Sequence, residues 1–224
     1  MAFRDLNPES ARGRQAEARR NDLAVLEAAR DVFSVQGADA PISAVAERAG
    51  VGMGTLYRRY GSKAELLQRL CLLAMEQALA AAGAALNAAD PWTGLASYVG
   101  ACVEMRSGAL GALAGHLDVT GEMQATAERG IAALSEIVAR AQRAGSLRAD
   151  VTPLDVSYLI EAFSRRPSVL PESPAPEATS AGEERNVRDR LLAIALDGLR
   201  PGAPAPLPGS PPSQASYVGR WTRR

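Results

Sequence analysis

Between Ile42 and Tyr60 the sequence spells two helices of about two turns each, parted by Gly50-Val51-Gly52. Ile42, Val45, Ala46 and Ala49 share one side of the first, and Leu56 and Tyr60 share one side of the second. Helices this short are not stable alone in water, so both must pack on something longer. The preceding segment supplies it. From Arg19 to Gln36 the apolar positions Leu23, Leu26, Ala29, Val32 and Phe33 recur at three and four, the stripe of an amphipathic helix. Gly37 is a C-terminal stop, and Pro41 falls in the first turn of the next helix, where its missing N–H does no harm. A long helix followed by two short ones across a glycine turn is the helix-turn-helix arrangement.

That arrangement assigns roles by geometry. The first short helix crosses the DNA backbone, and the second lies in the major groove, which is wide enough to admit it. The second helix therefore needs one apolar side and one side rich in hydrogen-bond donors. Opposite Leu56 and Tyr60 stand Thr55, Tyr57, Arg58 and Arg59, with Lys63 just beyond, the only lysine beside 24 arginines. Bland readings stay open at this point. Tyr57 is either a phosphate donor or packed core, and Arg58 either meets DNA or is a solvated surface arginine.

The run Ala44 to Lys63, AVAERAGVGMGTLYRRYGSK, preceded by a helix ending Val32-Phe33-Ser34-Val35-Gln36-Gly37, resembles the TetR family of bacterial transcriptional regulators. The likeness covers roughly residues 20 to 67, with Gly-Thr-Leu-Tyr, an aromatic and then Ser-Lys as its signature. Further on, Leu147 to Asp155 and Leu191 to Pro201 resemble the last two helices of one branch of that family. The resemblance implies that Ser43, Thr55, Tyr57, Arg59 and Lys63 occupy DNA-contacting positions, Tyr57 and Lys63 on phosphates. Met53 and Gly54 open the reading helix; because Gly54 has no side chain, base reading falls on Met53, Arg58 and neighbouring groups. Gly52 replaces a commoner Ser as the helix cap, a weaker but acceptable choice. Tyr60 replaces a frequent Phe and its hydroxyl needs a partner.

The rest of the chain is also helical in pattern. Ser62 three residues before Glu65 is a capping box for a helix running from Lys63 toward Leu86. Asp90-Pro91 starts another, with Trp92, Leu95, Tyr98, Val99 and Cys102 on one side. A short helix near Ala109 to Gly115 follows, then one from Gly121 to Ala144 with the stripe Ile131, Leu134, Ile137, Val138 and Ala141. Thr152-Pro153-Leu154-Asp155 starts the next, and Glu183 to Leu199 forms the last. The expected fold is all-α with about nine helices. A flexible arm over residues 1–18 precedes a three-helix DNA-binding domain over 19–66 and a larger effector-binding and dimerisation domain over 67–200. Residues 167–182, with four prolines in 167–176, read as a mobile linker, and the proline-rich 201–224 as a disordered tail.

Charge and composition narrow the function. The chain has 224 residues, with 25 Lys plus Arg against 25 Asp plus Glu. Zero net charge excludes holding nucleic acid by bulk attraction. Residues 1–66 carry ten basic and nine acidic side chains, yet Arg58, Arg59 and Lys63 cluster with no acid among them. Affinity for DNA should therefore be local and geometric. Cys71 and Cys102 have no neighbouring His, and His116 is the single histidine, so neither a zinc site, a catalytic pair nor any other cofactor site is legible. The alternative is a helical small-molecule-binding protein or enzyme without a DNA role. No signal peptide is legible, and the most apolar stretch, Ala74 to Ala89, is broken by Glu76, Gln77, Gly83 and Asn87, short of the roughly 20 apolar residues a membrane span needs. The expected location is the cytoplasm, away from any membrane.

The resemblance further implies a homodimer on a palindromic, double-stranded operator, released by a small-molecule effector. Its dimer face would draw on Val156, Ile160 and Phe163 and on Val187, Leu191 and Ile194. Pocket candidates are Trp92, Tyr98, Met105, Leu113, His116, Leu117, Met123 and Tyr158, each open to the alternative of plain core packing. With no buried acid or base legible there, an apolar or amphipathic effector is expected.

Overall fold

The computed structural model describes residues 8–164, 181–202 and 205–221. Every regular element among the described residues is a helix, with no strand among them. The chain divides into two compact units, Met1–Leu70 and Cys71–Arg224.

In the first unit α1 spans Pro8–Gln36. It therefore begins well before Arg19, and the arm expected over residues 1–18 is corrected for 8–18; residues 1–7 lie outside the described ones. Val25, Leu26, Ala29, Val32 and Phe33 are buried, whereas Leu23 is exposed, so the inward stripe starts one turn later than expected. Gly37 takes a left-handed φ of 76° and returns its N–H to the Phe33 carbonyl, which closes α1. α2 (Ile42–Ala49) begins after Pro41 and buries Ile42, Val45 and Ala46. Gly50, at φ 66°, ends it by donating to Ala46 and Glu47. α3 (Met53–Tyr60) follows from Gly52, which gives no side-chain cap, and buries Leu56 and Tyr60 as its pattern requires. Half of the capping box forms: the Glu65 N–H donates to Ser62 Oγ at 3.1 Å, whereas the Ser62 N–H goes to the Tyr60 carbonyl and the Glu65 carboxylate accepts from the Ser62 hydroxyl at 3.3 Å instead.

α4 (Lys63–Leu86) runs across the division between the units. By length and composition alone it would pass for a membrane span. Its apolar character has another source. Leu66, Leu67 and Leu70 are buried in the first unit, and Cys71, Leu72, Ala74, Ala82 and Ala85 are buried in the second.

The second unit packs α4 beyond Leu70 with α5 (Pro91–Glu104), α6 (Gly121–Arg143), α7 (Pro153–Ser164) and α8 (Ala181–Gly198) around one core. Asp90 caps α5 by accepting from the Thr93 N–H at 2.8 Å; the Thr93 hydroxyl, and next that N–H, hold its carboxyl below the usual range. Trp92, Leu95, Tyr98, Val99 and Cys102 face inward as expected. α5 can approach α4 closely because Gly94 has no side chain; a Cβ there would lie 2.5 Å from the Ala85 carbonyl oxygen. A 3₁₀ segment, Ser107–Leu113, takes the place of the short helix expected near Ala109. In α6, Leu134, Ile137, Val138 and Ala141 are buried but Ile131 is exposed. α8 is anchored to this core through Leu192 and by Arg188 on Glu104 at 2.6 Å. The linker expected over 167–182 falls mostly on residues 165–180, outside the described ones.

The proline-rich end departs from expectation. Residues 205–221 lie against the second unit, so disorder throughout 201–224 is corrected for them. Arg148 grips Asp150 through two nitrogens at 2.6 and 2.8 Å and also donates to the Ala205 carbonyl. The Leu207 N–H donates to Asp150 at 2.8 Å. Beyond the prolines a short helix, α9 (Gln214–Gly219), is capped by Ser213. Prolines discourage regular structure, yet they also leave fewer conformations to lose when a few strong bonds hold the ends.

The clip has a pH signature. Arg148, and next the Leu207 N–H, stabilise the ionised Asp150 carboxylate and lower its pKa from 3.8 to about 2. A depressed acid contributes stability above its unfolded pKa and loses it as pH falls toward the folded value. The Leu207 amide proton shift should accordingly titrate with a midpoint near 2 by NMR, and Asp150→Asn should erase the transition. A midpoint near 4 would show that the clip does not form.

Candidate nucleic-acid interface

α3 stands on the first unit as a short rod fixed by one face. Leu56 is almost wholly buried, and the Tyr60 hydroxyl donates to Asp22 on α1 at 2.6 Å. Burial, and next Asp22, push the Tyr60 phenol far above its ordinary pKa, so the hydroxyl remains a donor at any working pH. Asp22 also stands 3.7 Å from the Arg59 guanidinium. One carboxylate on α1 thus orients the last turn of the reading helix twice. In the sequence Asp22 is one of nine acids among residues 1–66 with nothing to single it out; the signal that called for it was the unexplained hydroxyl of Tyr60.

The opposite face is open. Met53, Thr55, Tyr57, Arg58 and Arg59 are exposed. Tyr57 is 46% exposed, so the packed-core alternative for it does not hold. Arg58 makes a long bond of 3.5 Å to the Thr55 hydroxyl and is otherwise turned to solvent. Gly52 and Gly54 meet nothing within 4 Å of an added Cβ, so this end of the helix presents bare backbone. Ser43 is exposed in the first turn of α2. Lys63 is half-buried, its ammonium 5.7 Å from the centre of the Phe33 ring. That contact supports the stem and leaves a single positive charge at the start of α4. All seven residues expected at the DNA face belong to the first unit, and six of them lie within one stretch of eleven positions.

The effector candidates of the second unit differ widely in burial. Leu113, Leu117 and Met123 are fully buried, and Trp92 is buried with the Arg200 guanidinium 4.1 Å above its ring. His116 is exposed and Met105 half-buried. Tyr98 is buried, and burial, followed by the nearby Cys102, pushes its phenol well above the usual range. Burial pushes the Cys102 thiol up to about 11, so it is not a nucleophile near neutral pH. Tyr158 meets Tyr217 of α9 edge-on, with ring centres 5.4 Å apart. Two shallow concavities open on this unit, of about 360 Å³ beside Arg148 and Pro201 and about 310 Å³ beside Glu104 and Arg188, and neither is lined by any of the eight. No group of three His, Cys, Asp or Glu suited to a metal occurs among the described residues.

Two corrections follow for this unit. Val156 and Ile160, expected at a dimer face, are buried in the protomer's own core, because α7 is enclosed by α5, α6 and the 3₁₀ segment. Phe163 packs partly against the same core, while Val187, Leu191 and Ile194 are exposed along α8. The expectation that no acid is buried here also fails, since Glu161 on α7 is only 6% exposed.

Comparison with known proteins agrees with this geometry. The profile of bacterial regulatory proteins of the tetR family matches residues 25–70, and that of SbtR-like transcriptional regulators, C-terminal domain, matches residues 90–201. The chain belongs to the TetR family. Among solved structures, a TetR transcription regulatory protein from Mycobacterium vanbaalenii is 30% identical, with 83% of this chain and 98% of that one covered at a TM-score of 0.54. A TetR regulator from Streptomyces coelicolor is 24% identical over 81% of this chain and 99% of that one, at 0.53. The ketosteroid transcriptional regulator KstR2 of Mycobacterium tuberculosis shares the fold at 21% identity and 0.53, over 81% of this chain and 95% of that one. Among curated protein sequences none matches the chain. As a TetR-family transcriptional regulator, the chain carries its helix-turn-helix in α2 and α3.

Proposed function

We propose that this TetR-family chain is a cytoplasmic, dimeric repressor whose paired α3 helices read the half-sites of a palindromic operator, and that a small molecule bound in the second unit releases it. The observation that carries the reading is the outer face of α3, where Thr55, Tyr57, Arg58 and Arg59 are exposed on a helix anchored by Leu56 and Tyr60. One such module buries little surface on DNA, and two related by a two-fold axis read half-sites about one helical turn apart or a multiple of it. The exposed Val187, Leu191 and Ile194 on α8 support pairing with a second copy. An effector would act by favouring a conformer whose reading helices no longer match the groove spacing, with a coupling of typically about 1–3 kcal/mol.

Mobility shift with the DNA upstream of the chain's own gene tests the reading. Salt-sensitive, sequence-selective retardation is the expected result. Lys63→Ala should weaken binding to all sequences alike and flatten the dependence of log affinity on log salt by about one unit. Tyr57→Phe should weaken it without that change of slope, since it removes a hydroxyl and no charge. Loss of sequence preference in either variant would move that residue from phosphate contact to base reading. Failure to retard this DNA or neighbouring promoters would overturn the repressor.

A further inference from the structure

The leading end of α3 differs in chemistry from the rest of its open face. Thr55, Arg58 and Arg59 offer hydroxyl and guanidinium groups, whereas the first residue, Met53, offers only a thioether on an apolar stem. Met53 is 37% exposed and shares a side of the helix with the exposed Tyr57, one turn on. The core has no claim on it, since the residues that α3 buries are Leu56 and Tyr60. Its neighbours on both sides are glycines, and a Cβ added at Gly52 or Gly54 would meet nothing within 4 Å. The stem therefore stands clear on either hand, with room beside it for the edge of another molecule.

In a helix-turn-helix the first residues of the second helix meet the base edges. Polar side chains read those edges by donor and acceptor, Arg on guanine O6 and N7, Asn or Gln on adenine N6 and N7. Methionine has no donor, and its sulfur is a weak acceptor, so Met53 cannot tell bases apart in that way. What it can recognise is apolar. The major groove presents one such group, the C5-methyl of thymine; cytosine and both purines present none there. A thioether stem is flexible and polarisable, suited to lie against an isolated methyl. Gly54 contributes by having no side chain, which lets the backbone come close to the base.

We propose that Met53 is a specificity-determining residue that selects thymine in each half-site through its C5-methyl group, with Gly52 and Gly54 leaving the clearance for the contact. The inference rests on the DNA-reading role proposed for α3 and deepens it by naming the base chemistry that its first turn recognises. Covering one methyl-sized group corresponds to a roughly 4-fold change in affinity. A two-fold-symmetric operator carries the contact twice, which makes roughly 15-fold in all.

Duplexes selected from a random-sequence pool by the full-length chain supply the probe. Each thymine of the selected site is replaced in turn, in both half-sites together, by deoxyuridine, which keeps the base pair and removes only the methyl. At one position or more the wild-type chain should lose roughly 15-fold in affinity. There Met53→Ala should bind the thymine and deoxyuridine duplexes equally, and as tightly as wild type binds the deoxyuridine one. Alanine is the better helix former and the site is exposed, so the variant keeps α3. If no position shows a penalty that vanishes in Met53→Ala, thymine reading by Met53 is overturned while sequence-selective binding stands. If the pool yields no selected duplex, the DNA-reading role of α3 fails and this inference falls with it.

Discussion

Leu56→Ala is expected to abolish operator retardation while leaving tryptophan emission unchanged. Leu56 is 1% exposed and is one of only two buried residues that fasten α3 to the first unit. Emptying such a site costs about 2–5 kcal/mol. At about 0.05–0.15 kcal/mol per residue, a unit this small holds only a few kcal/mol in total. The substitution should therefore unfold α3, or the whole unit, at ordinary temperature. Trp92 and Trp221 both lie in Cys71–Arg224, so their emission isolates the second unit from the damage. Ellipticity at 222 nm should fall with it. Wild-type retardation by Leu56→Ala would mean that α3 is held by something other than its buried face.

Gly108→Ala should strike the other unit. The new methyl would lie 2.5 Å from the Glu161 Cα, 2.8 Å from its nitrogen and 2.9 Å from the Ile160 carbonyl oxygen. All three are backbone atoms, so no rotamer change relieves the clash; α7 and the 3₁₀ segment must part. Overpacking of this kind costs about 1–3 kcal/mol and sometimes more. For a unit of this size that lowers the thermal midpoint by roughly 3–10 °C. The Gly108 N–H also donates to Ser164 Oγ at 3.2 Å, and that bond would lengthen. Gly130→Ala in α6 is the control, because a Cβ there meets nothing within 4 Å. It should hold or raise the midpoint, as alanine favours a helix interior by up to about 1 kcal/mol over glycine. Equal effects from the two substitutions would contradict the close approach at Gly108.

What the sequence made legible was local. Gly50, the Ser62–Glu65 box and the Leu56–Tyr60 spacing each act over a few residues, and the two short helices fall where those signals place them. Contacts between distant positions were not legible. Asp22 meets Tyr60 across 38 residues and Arg220 meets Glu161 across 59, and neither separation leaves a periodic trace. The composition of the tail spoke for its entropy in the unfolded chain and was silent about the acid waiting at Glu161. Periodicity likewise named apolar stripes without saying what would cover them. Val156 and Ile160 are covered by the chain itself, whereas Val187, Leu191 and Ile194 remain open along α8.

Lys63 carries the chain's one side-chain amine, held half-buried against Phe33 at the edge of the α3 face. An acylating reagent specific for amines thus meets a single lysine, at the point assigned to a phosphate. The rate at which that nitrogen is modified becomes a one-residue footprint of the bound state, readable by mass spectrometry on unlabelled protein.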